Sequence, residues 1–313
     1  MCRCLYCYKE LDEGQKDFHP ACVKKFFGTN EIPMLDYRHE DLDRLAEQVI
    51  RAQTSLTGVQ PKLSLNLNKH EGCSRLTIVG LWGDYIFKPQ NEAFSELPEN
   101  EDLTMHLAEA ARISVVPHSL MRLADGKLGY ITKRIDRTAS GEKIAMEDFC
   151  LLVLRVTADK YKGSYERCGK IVKEYAENPG LDMTELFLRI VFSFAVGNSD
   201  MHLKNFSLIE TAPGNGIYRL SEAYDMLPVN IILPADKDQM ALTLNGKNRN
   251  LRRSDFLTLA ENCGLNRKSA EKMLDEIAAM KDAYLTLCKD SFLPGDYQEA
   301  LCNLIDTRIR ALQ

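Results

Sequence analysis

The feature that most constrains this chain is an apolar run, Thr184–Val196, that stops at Gly197 and opens into Asn198-Ser199-Asp200-Met201-His202-Leu203-Lys204-Asn205. Apolar residues at helical spacing predict a core helix, and a glycine just past the last of them predicts its stop. An acid, an imidazole, a cation and an amide are thereby tied into one tight segment beside a buried element. Such a group can orient a hydroxyl and hold a metal–phosphate complex. Spacing alone leaves a second reading, a capped turn whose polar side chains satisfy backbone atoms.

Composition narrows the class. A chain of 313 residues with 45% hydrophobic content can bury the core of one large domain or two lobes. Its net charge of -5 gives no support for general nucleic-acid binding, so no direct DNA contact is expected. The local basic group Lys247, Arg249, Arg252 and Arg253 could still touch an acidic partner, although most such clusters are solvated surface. No stretch is long and apolar enough to cross a membrane, and the polar N-terminus lacks the apolar core of a secretory signal; the cytoplasm is the default expectation.

The ten cysteines do not form an even disulfide framework. Cys2, Cys4, Cys7 and Cys22 crowd the start, whereas the other six are scattered, several in apolar helical contexts. Cys4-x-x-Cys7 and His19-x-x-Cys22 are two short ligand pairs separated by a turn-rich segment, which is how a small tetrahedral Zn²⁺ site is assembled. Cys2 is a substitute ligand. A closed four-ligand site would be structural, with no open position for catalysis.

Periodicity then sets the expected organisation. An amphipathic helix is predicted over 36–53, strands at Lys62–Asn66, Leu76–Val79 and Tyr85–Lys88, a helix near Glu101–Ile113, and strands at Pro117–Leu123 and Leu128–Ile135. Beyond them the pattern is helical over Met146–Asp159, Tyr165–Glu177, Thr184–Val196, Ser254–Glu261, Arg267–Leu287 and Tyr297–Ala311, with Asn178-Pro179-Gly180 as a stop and short strands within 203–233. The expected divisions are a zinc-binding unit at 1–30, a nucleotide-binding lobe at 31–140 and a helical catalytic lobe at 141–313. The expected class is α+β, a two-lobed protein-kinase-like fold.

Chemistry converges from several segments. The interval from Asp200 to Asn205 is the one a protein kinase uses between its catalytic-loop base and its metal-holding amide, and Asp225 follows where a second Mg²⁺ ligand belongs. Lys88 ends a half-buried strand and could reach nucleotide phosphates, oriented by Glu101; an edge lysine and a helix-start glutamate are the plain alternative. His202 is expected to hold the loop rather than transfer a proton, and Lys204 either stabilises the transferring phosphate or is solvated. In Thr54-Ser55-Leu56-Thr57-Gly58-Val59-Gln60-Pro61-Lys62, backbone N–H groups at Gly58, Val59 and Gln60 could cradle phosphates while Lys62 adds charge, or the stretch is a helix-ending turn.

With these motifs in order the chain resembles the HipA-type serine/threonine kinase toxins of bacterial toxin–antitoxin systems. The resemblance rests on Ser55–Lys62, Ile86–Pro89, Lys133–Arg137, Glu147–Cys150, Gly197–Leu208 and Leu220–Pro228, and covers about residues 50–260. It implies that Asp200 is the catalytic acid-base residue, that Asn205 and Asp225 hold Mg²⁺, and that Lys88 contacts ATP phosphates. It further implies that Lys133, Arg134 and Ile135 form the linker against adenine and that Ser55 is the inhibitory autophosphorylation position, with Thr57 a second acceptor. The short N-terminal region resembles shortened members whose β-rich subdomain is encoded as a separate protein.

The implied function is an ATP- and Mg²⁺-dependent protein serine/threonine kinase of a toxin–antitoxin module. The implied partners are antitoxin proteins, including a DNA-binding antitoxin, and a protein substrate that by resemblance is an aminoacyl-tRNA synthetase. Two other classes compete: a nucleotide-binding regulatory scaffold acting through an antitoxin complex, and a zinc-dependent nucleic-acid binder. Intact Asp200, Asn205, Asp225 and Lys88 disfavour the first, and the small share of the chain taken by the cysteine unit disfavours the second.

Overall fold

The computed structural model describes residues 2–42, 44–45, 62–70, 73–79, 83–138 and 140–313. Ser55, Thr57, Gly58, Val59 and Gln60 of the expected phosphate loop lie outside the described residues, as does much of the helix expected over 36–53. The chain packs as two compact units. One comprises Met1–Asp102, Val116–Arg134 and Asp290–Phe292, the other Leu103–Val115, Ile135–Lys289 and Leu293–Gln313.

The first unit is built on an antiparallel sheet of β1 (Leu63–His70), β2 (Cys73–Val79), β3 (Tyr85–Lys88), β4 (His118–Arg122) and β5 (Leu128–Lys133), in the order β2-β1-β3-β5-β4. Leu63, Leu65, Tyr85 and Phe87 alternate onto a buried face, as strand periodicity requires. Phe87 lies opposite Ile131, and a Cβ on Gly129 would sit 2.1 Å from the Phe87 ring, so only glycine admits that ring. Helix α1 (Pro20–Phe27) starts with proline at its first turn and ends on Gly28 in the left-handed region. Its Phe26 and Phe27 pack edge to face at 4.7 Å and share one core with Leu63, Leu65, Leu76 and Phe87. Each buried ring of this kind contributes about 1.5–3 kcal/mol.

The second unit is mainly helical around α5 (Pro179–Val196), whose residues are buried almost all round from Leu186 onward. It packs against α4 (Tyr165–Tyr175), α8 (Arg267–Ala279) and α10 (Gly295–Leu312), with α6 (Val229–Ile232) and α7 (Arg253–Asn262) falling between α5 and α8 in the chain. A small antiparallel sheet of β6 (Met146–Asp148), β7 (Ser207–Glu210) and β8 (Tyr218–Leu220) flanks them.

Three local expectations are corrected. The helix expected over Met146–Asp159 is instead β6, a four-residue helix α3 (Phe149–Leu152) and a 3₁₀ turn at Thr157–Asp159. Pairing of Met146–Asp148 with β7 takes the backbone groups a helix would use, and the Asp148 carboxylate caps the Leu151 N–H at 2.9 Å. The central helix starts at Pro179 rather than Thr184, because a proline at the first helical position lacks only an N–H that would have no partner. The expected helix over Arg267–Leu287 breaks at Met280 into α8 and α9 (Lys281–Asp290), which lets Tyr284 pack at 6.2 Å from Phe192. No helix among the described residues is long and apolar enough to cross a membrane.

Candidate active site and metal centre

In the second unit, α5 ends at Gly197 with φ 73°, where a Cβ would lie 2.3 Å from the Leu304 side chain. Only glycine turns the chain here, and the turn delivers Asp200. The loop is locked from within: the Asn198 Oδ1 accepts from Asp200 N at 3.2 Å, His202 N donates to Asp200 O at 2.8 Å, and Asn205 Nδ2 donates to the same carbonyl at 3.0 Å. The Tyr165 hydroxyl donates to Met201 O at 3.0 Å, fixing the loop to α4.

This pattern separates the side chains by chemistry. Asp200 keeps its carboxylate 40% exposed, with one oxygen accepting from the Tyr161 phenol. Asn205 is buried and its amide nitrogen is committed, which orients its Oδ1 as a neutral acceptor. Asp225 adopts φ 59°, a left-handed conformation uncommon outside glycine. Its charge and that of Asp200 both act on His202, yet burial wins and holds the imidazole below its ordinary pKa, hence neutral. His202 lies 4.0 Å from the Asp200 carboxylate and edge-on to the Tyr161 ring at 5.0 Å, so it acts on the loop by packing. Lys204 forms an ion pair with Asp148 at 2.7 Å, and its carbonyl accepts from the Tyr224 hydroxyl at 3.1 Å. A carboxylate and an oriented amide oxygen are hard donors of the kind Mg²⁺ takes, and the set fits that ion.

In the first unit Lys88 closes β3 and meets Glu101 of α2 (Leu97–Ala110) at 2.5 Å, with both side chains under 5% exposed. The Lys88 ammonium also sits 5.4 Å from the Tyr130 ring centre. Burying two charges costs several kcal/mol per ion, so stability alone is a weak reason for the pair. Lys62 is exposed immediately before β1. The Lys133 N–H donates to Pro117 O and the Arg134 N–H to Asp84 O, both at 2.9 Å, so these two amides are committed within the unit; at Arg134 the first unit ends and Ile135 begins the second. Burial, then the nearby Lys69, lowers the Lys133 pKa, and its ammonium lies over the Phe26 ring.

The first unit also gathers a set of candidate metal ligands. One ligand atom each from Cys4, Cys7, His19 and Cys22 all lie within 4.8 Å of one another. His19 Nε2 bonds the Glu10 carbonyl at 2.9 Å and must donate, so the lone pair of Nδ1 faces the sulfurs of Cys7 at 3.5 Å and Cys22 at 3.9 Å. At Cys4 burial is outweighed by the backbone N–H groups of His19, Tyr6 and Cys7, and its pKa falls. Burial and then the Cys4 charge push Cys22 up to about 12. Three sulfurs and an imidazole nitrogen within 4.8 Å of one another are a donor set of the kind Zn²⁺ takes. Cys2 is exposed and stands outside the cluster.

Three participants were not legible from spacing: Tyr161 on Asp200, Asp148 on Lys204, and the buried Asp102, which accepts from the Tyr8 hydroxyl at 2.9 Å and pairs with His118 at 2.7 Å. Their partners lie 39, 56 and up to 94 residues away in sequence, so no local pattern marks the pairings. A cavity of about 670 Å³ beside α4, lined by Arg155, Arg167 and Lys170 among others, includes none of the candidate site residues.

A sheet unit with a buried Lys–Glu pair and a helical unit carrying an Asp–Asn loop define a mixed α/β, kinase-like architecture. Residues 54–284 match the HipA-like C-terminal domain, and the chain belongs to that family. It is 27% identical over 285 residues to a protein of Haemophilus influenzae named "Putative kinase", spanning 82% of this chain and 81% of the relative. It is 36% identical over 187 residues to "Putative kinase Y4dM" of Sinorhizobium fredii, spanning 55% of this chain and 44% of that protein. With "Putative kinase Y4mE" of the same organism it shares 29% identity over 222 residues, 67% of this chain and 51% of the relative, so it spans about half the length of the two Sinorhizobium proteins. Among solved structures it resembles HipA of Shewanella oneidensis, from a complex with HipB and operator DNA, with a TM-score of 0.69 at 18% identity over 96% of this chain and 79% of that one. The Helicobacter pylori proinflammatory kinase CtkA matches with a TM-score of 0.56 at 16% identity, over 80% of this chain and 95% of that one. At such identities the structural likeness speaks for the fold, and the family match supports a kinase-like enzyme at family level.

Proposed function

We propose that this chain is an ATP- and Mg²⁺-dependent protein serine/threonine kinase. The observation that carries the reading is the Asn205 amide bonded to the Asp200 carbonyl, which leaves an exposed carboxylate and an oriented amide oxygen on one rigid loop. Asp200 accepts the proton of a serine or threonine hydroxyl as that oxygen bonds to the γ-phosphorus of ATP and the bond to the leaving ADP oxygen breaks. Asn205 and Asp225 are the residues that would hold Mg²⁺, which supplies charge neutralisation of the phosphates when bound. Lys88, aligned by Glu101, meets phosphate oxygens; Lys62 and the Gly58–Gln60 backbone add to that contact, and Lys133–Ile135 lie against adenine. His202 packs the loop in place, and Lys204, released from Asp148, stabilises the transferring group.

The reading extends to regulation and partners. Ser55, or Thr57, is the autophosphorylation site, where a phosphodianion would repel bound ATP. Family membership and the Shewanella complex support a toxin–antitoxin setting with an antitoxin partner; the reading includes residence in the cytoplasm, and the family resemblance supports an aminoacyl-tRNA synthetase as substrate. The functional divisions are 1–30, 31–140 and 141–313, and the ion of the cysteine centre is Zn²⁺, held for structure.

Phosphate transfer from labelled ATP into a host lysate tests the reading, with labelled proteins identified by mass spectrometry. Asp200→Asn keeps the size of the side chain and removes the proton acceptor, so autophosphorylation and substrate labelling should both fall at least about a hundredfold while ATP still binds. Equal transfer by wild type and Asp200→Asn would overturn the assignment. ATP binding with no transfer by either protein, free of antitoxin and unphosphorylated, would favour a regulatory scaffold.

A further inference from the structure

The cysteine centre is wired into the nucleotide-binding sheet rather than hung from it. Its knuckle, Cys4-Leu5-Tyr6-Cys7, is closed by Tyr8 N donating to Cys4 O at 3.0 Å, and the Leu5 carbonyl accepts from Leu120 N of β4 at 3.2 Å. Leu5, Phe18, Phe26 and Phe27 are buried in the same core as the strands. The residue after the second cysteine is Tyr8, 3% exposed and held at φ 61°. A bulky side chain in the left-handed region persists only where its surroundings over-determine it. Its ring packs edge-on at 5.3 Å from Phe292, and its hydroxyl donates to Asp102 at 2.9 Å. Asp102 is fully buried, takes His118 of β4 on its other oxygen at 2.7 Å, and directly follows Glu101, the partner of Lys88.

We propose that zinc bound by Cys4, Cys7, His19 and Cys22 positions Glu101 through Tyr8 and Asp102, so that metal occupancy sets the alignment of Lys88. The inference rests on the kinase reading only for what Lys88 then contacts. Without the ion, nothing soft or cationic gathers the three sulfurs and the imidazole, and the strained turn at Tyr8 loses its anchor. The hydroxyl then leaves Asp102, and the start of α2 loosens. Zinc is therefore a positioning element for the nucleotide unit, and oxidants that take the thiolates or chelators that take the ion act on it at a distance.

The test uses the full chain, reduced and zinc-loaded, with metal content by mass spectrometry and backbone hydrogen exchange before and after a high-affinity chelator. The expected result is about one zinc per chain. On its removal, exchange should quicken at least about tenfold in residues 97–104 and 118–122, while Arg267–Ala279 in the other unit keeps its rate. Tyr8→Phe should retain the zinc and the ring packing yet quicken exchange at 99–103 severalfold, which a purely local staple would not do. A chain that binds no zinc, or one in which removal or Tyr8→Phe alters exchange only within 2–28, overturns the proposal. ATP affinity separates the two readings: zinc-loaded protein that never binds ATP would sink the kinase reading and leave the exchange result standing, whereas equal affinity with and without zinc would sink the coupling alone.

Discussion

The phenol of Tyr161 donates a hydrogen bond to the carboxylate of Asp200, joining residues 39 positions apart. Burial and the adjacent carboxylate both raise the Tyr161 pKa, so the phenol stays a donor across the physiological range. It thus occupies one lone pair of the proposed base.

Because a substrate hydroxyl must compete with that contact, Tyr161→Phe should raise kcat/KM for a peptide acceptor about threefold. This is the scale expected when one hydrogen bond to the carboxylate is exchanged for another. ATP affinity should not change. Steady-state kinetics with both substrates varied would decide it, and a tenfold or larger loss would show instead that the phenol positions Asp200.

The Lys88–Glu101 pair allows a separation of stability from binding. Glu101→Gln removes the carboxylate that the buried Lys88 meets at 2.5 Å, and Lys88→Met removes the ammonium that the buried Glu101 meets, so each should lower stability by about 3–5 kcal/mol. The double variant Lys88→Met/Glu101→Leu should recover most of that loss in denaturant titrations while ATP binding stays abolished. Recovery of stability together with retained ATP affinity would remove Lys88 from the phosphate site.

Glu99, in the first turn of α2, is 8% exposed, and burial followed by the charges of Glu96 and Asp102 raises its pKa to about 7. A carboxyl that binds its proton more tightly when folded favours the folded state fully below its unfolded pKa near 4.5, and that contribution is lost as pH rises through 7. Glu99→Gln should therefore stabilise the protein by about 3 kcal/mol at pH 8 and leave it nearly unchanged at pH 4.5. Urea titrations of both proteins at the two pH values check this, and a pH-independent difference would show that Glu99 is ionised in place.

What the sequence by itself determined lies where the signal is local. Alternation places Tyr85–Lys88 as a strand, the apolar run ending at Gly197 specifies a core helix and its stop, and two short ligand pairs mark Cys4, Cys7, His19 and Cys22. Only the tertiary structure decided the rest. Met146–Asp148 has helical spacing yet becomes a strand because β7 supplies its hydrogen-bond partners, and Arg267–Leu287 has no glycine or proline yet breaks at Met280 where Tyr284 packs on Phe192. The same holds at the sites. Asp200 and Asn205 announce themselves by their interval, but Tyr161, Asp148, Tyr8 and Asp102 reach their partners across long stretches of chain. A hydrogen bond between distant residues leaves no periodic trace in a sequence, because its geometry exists only after the intervening helices and strands have packed.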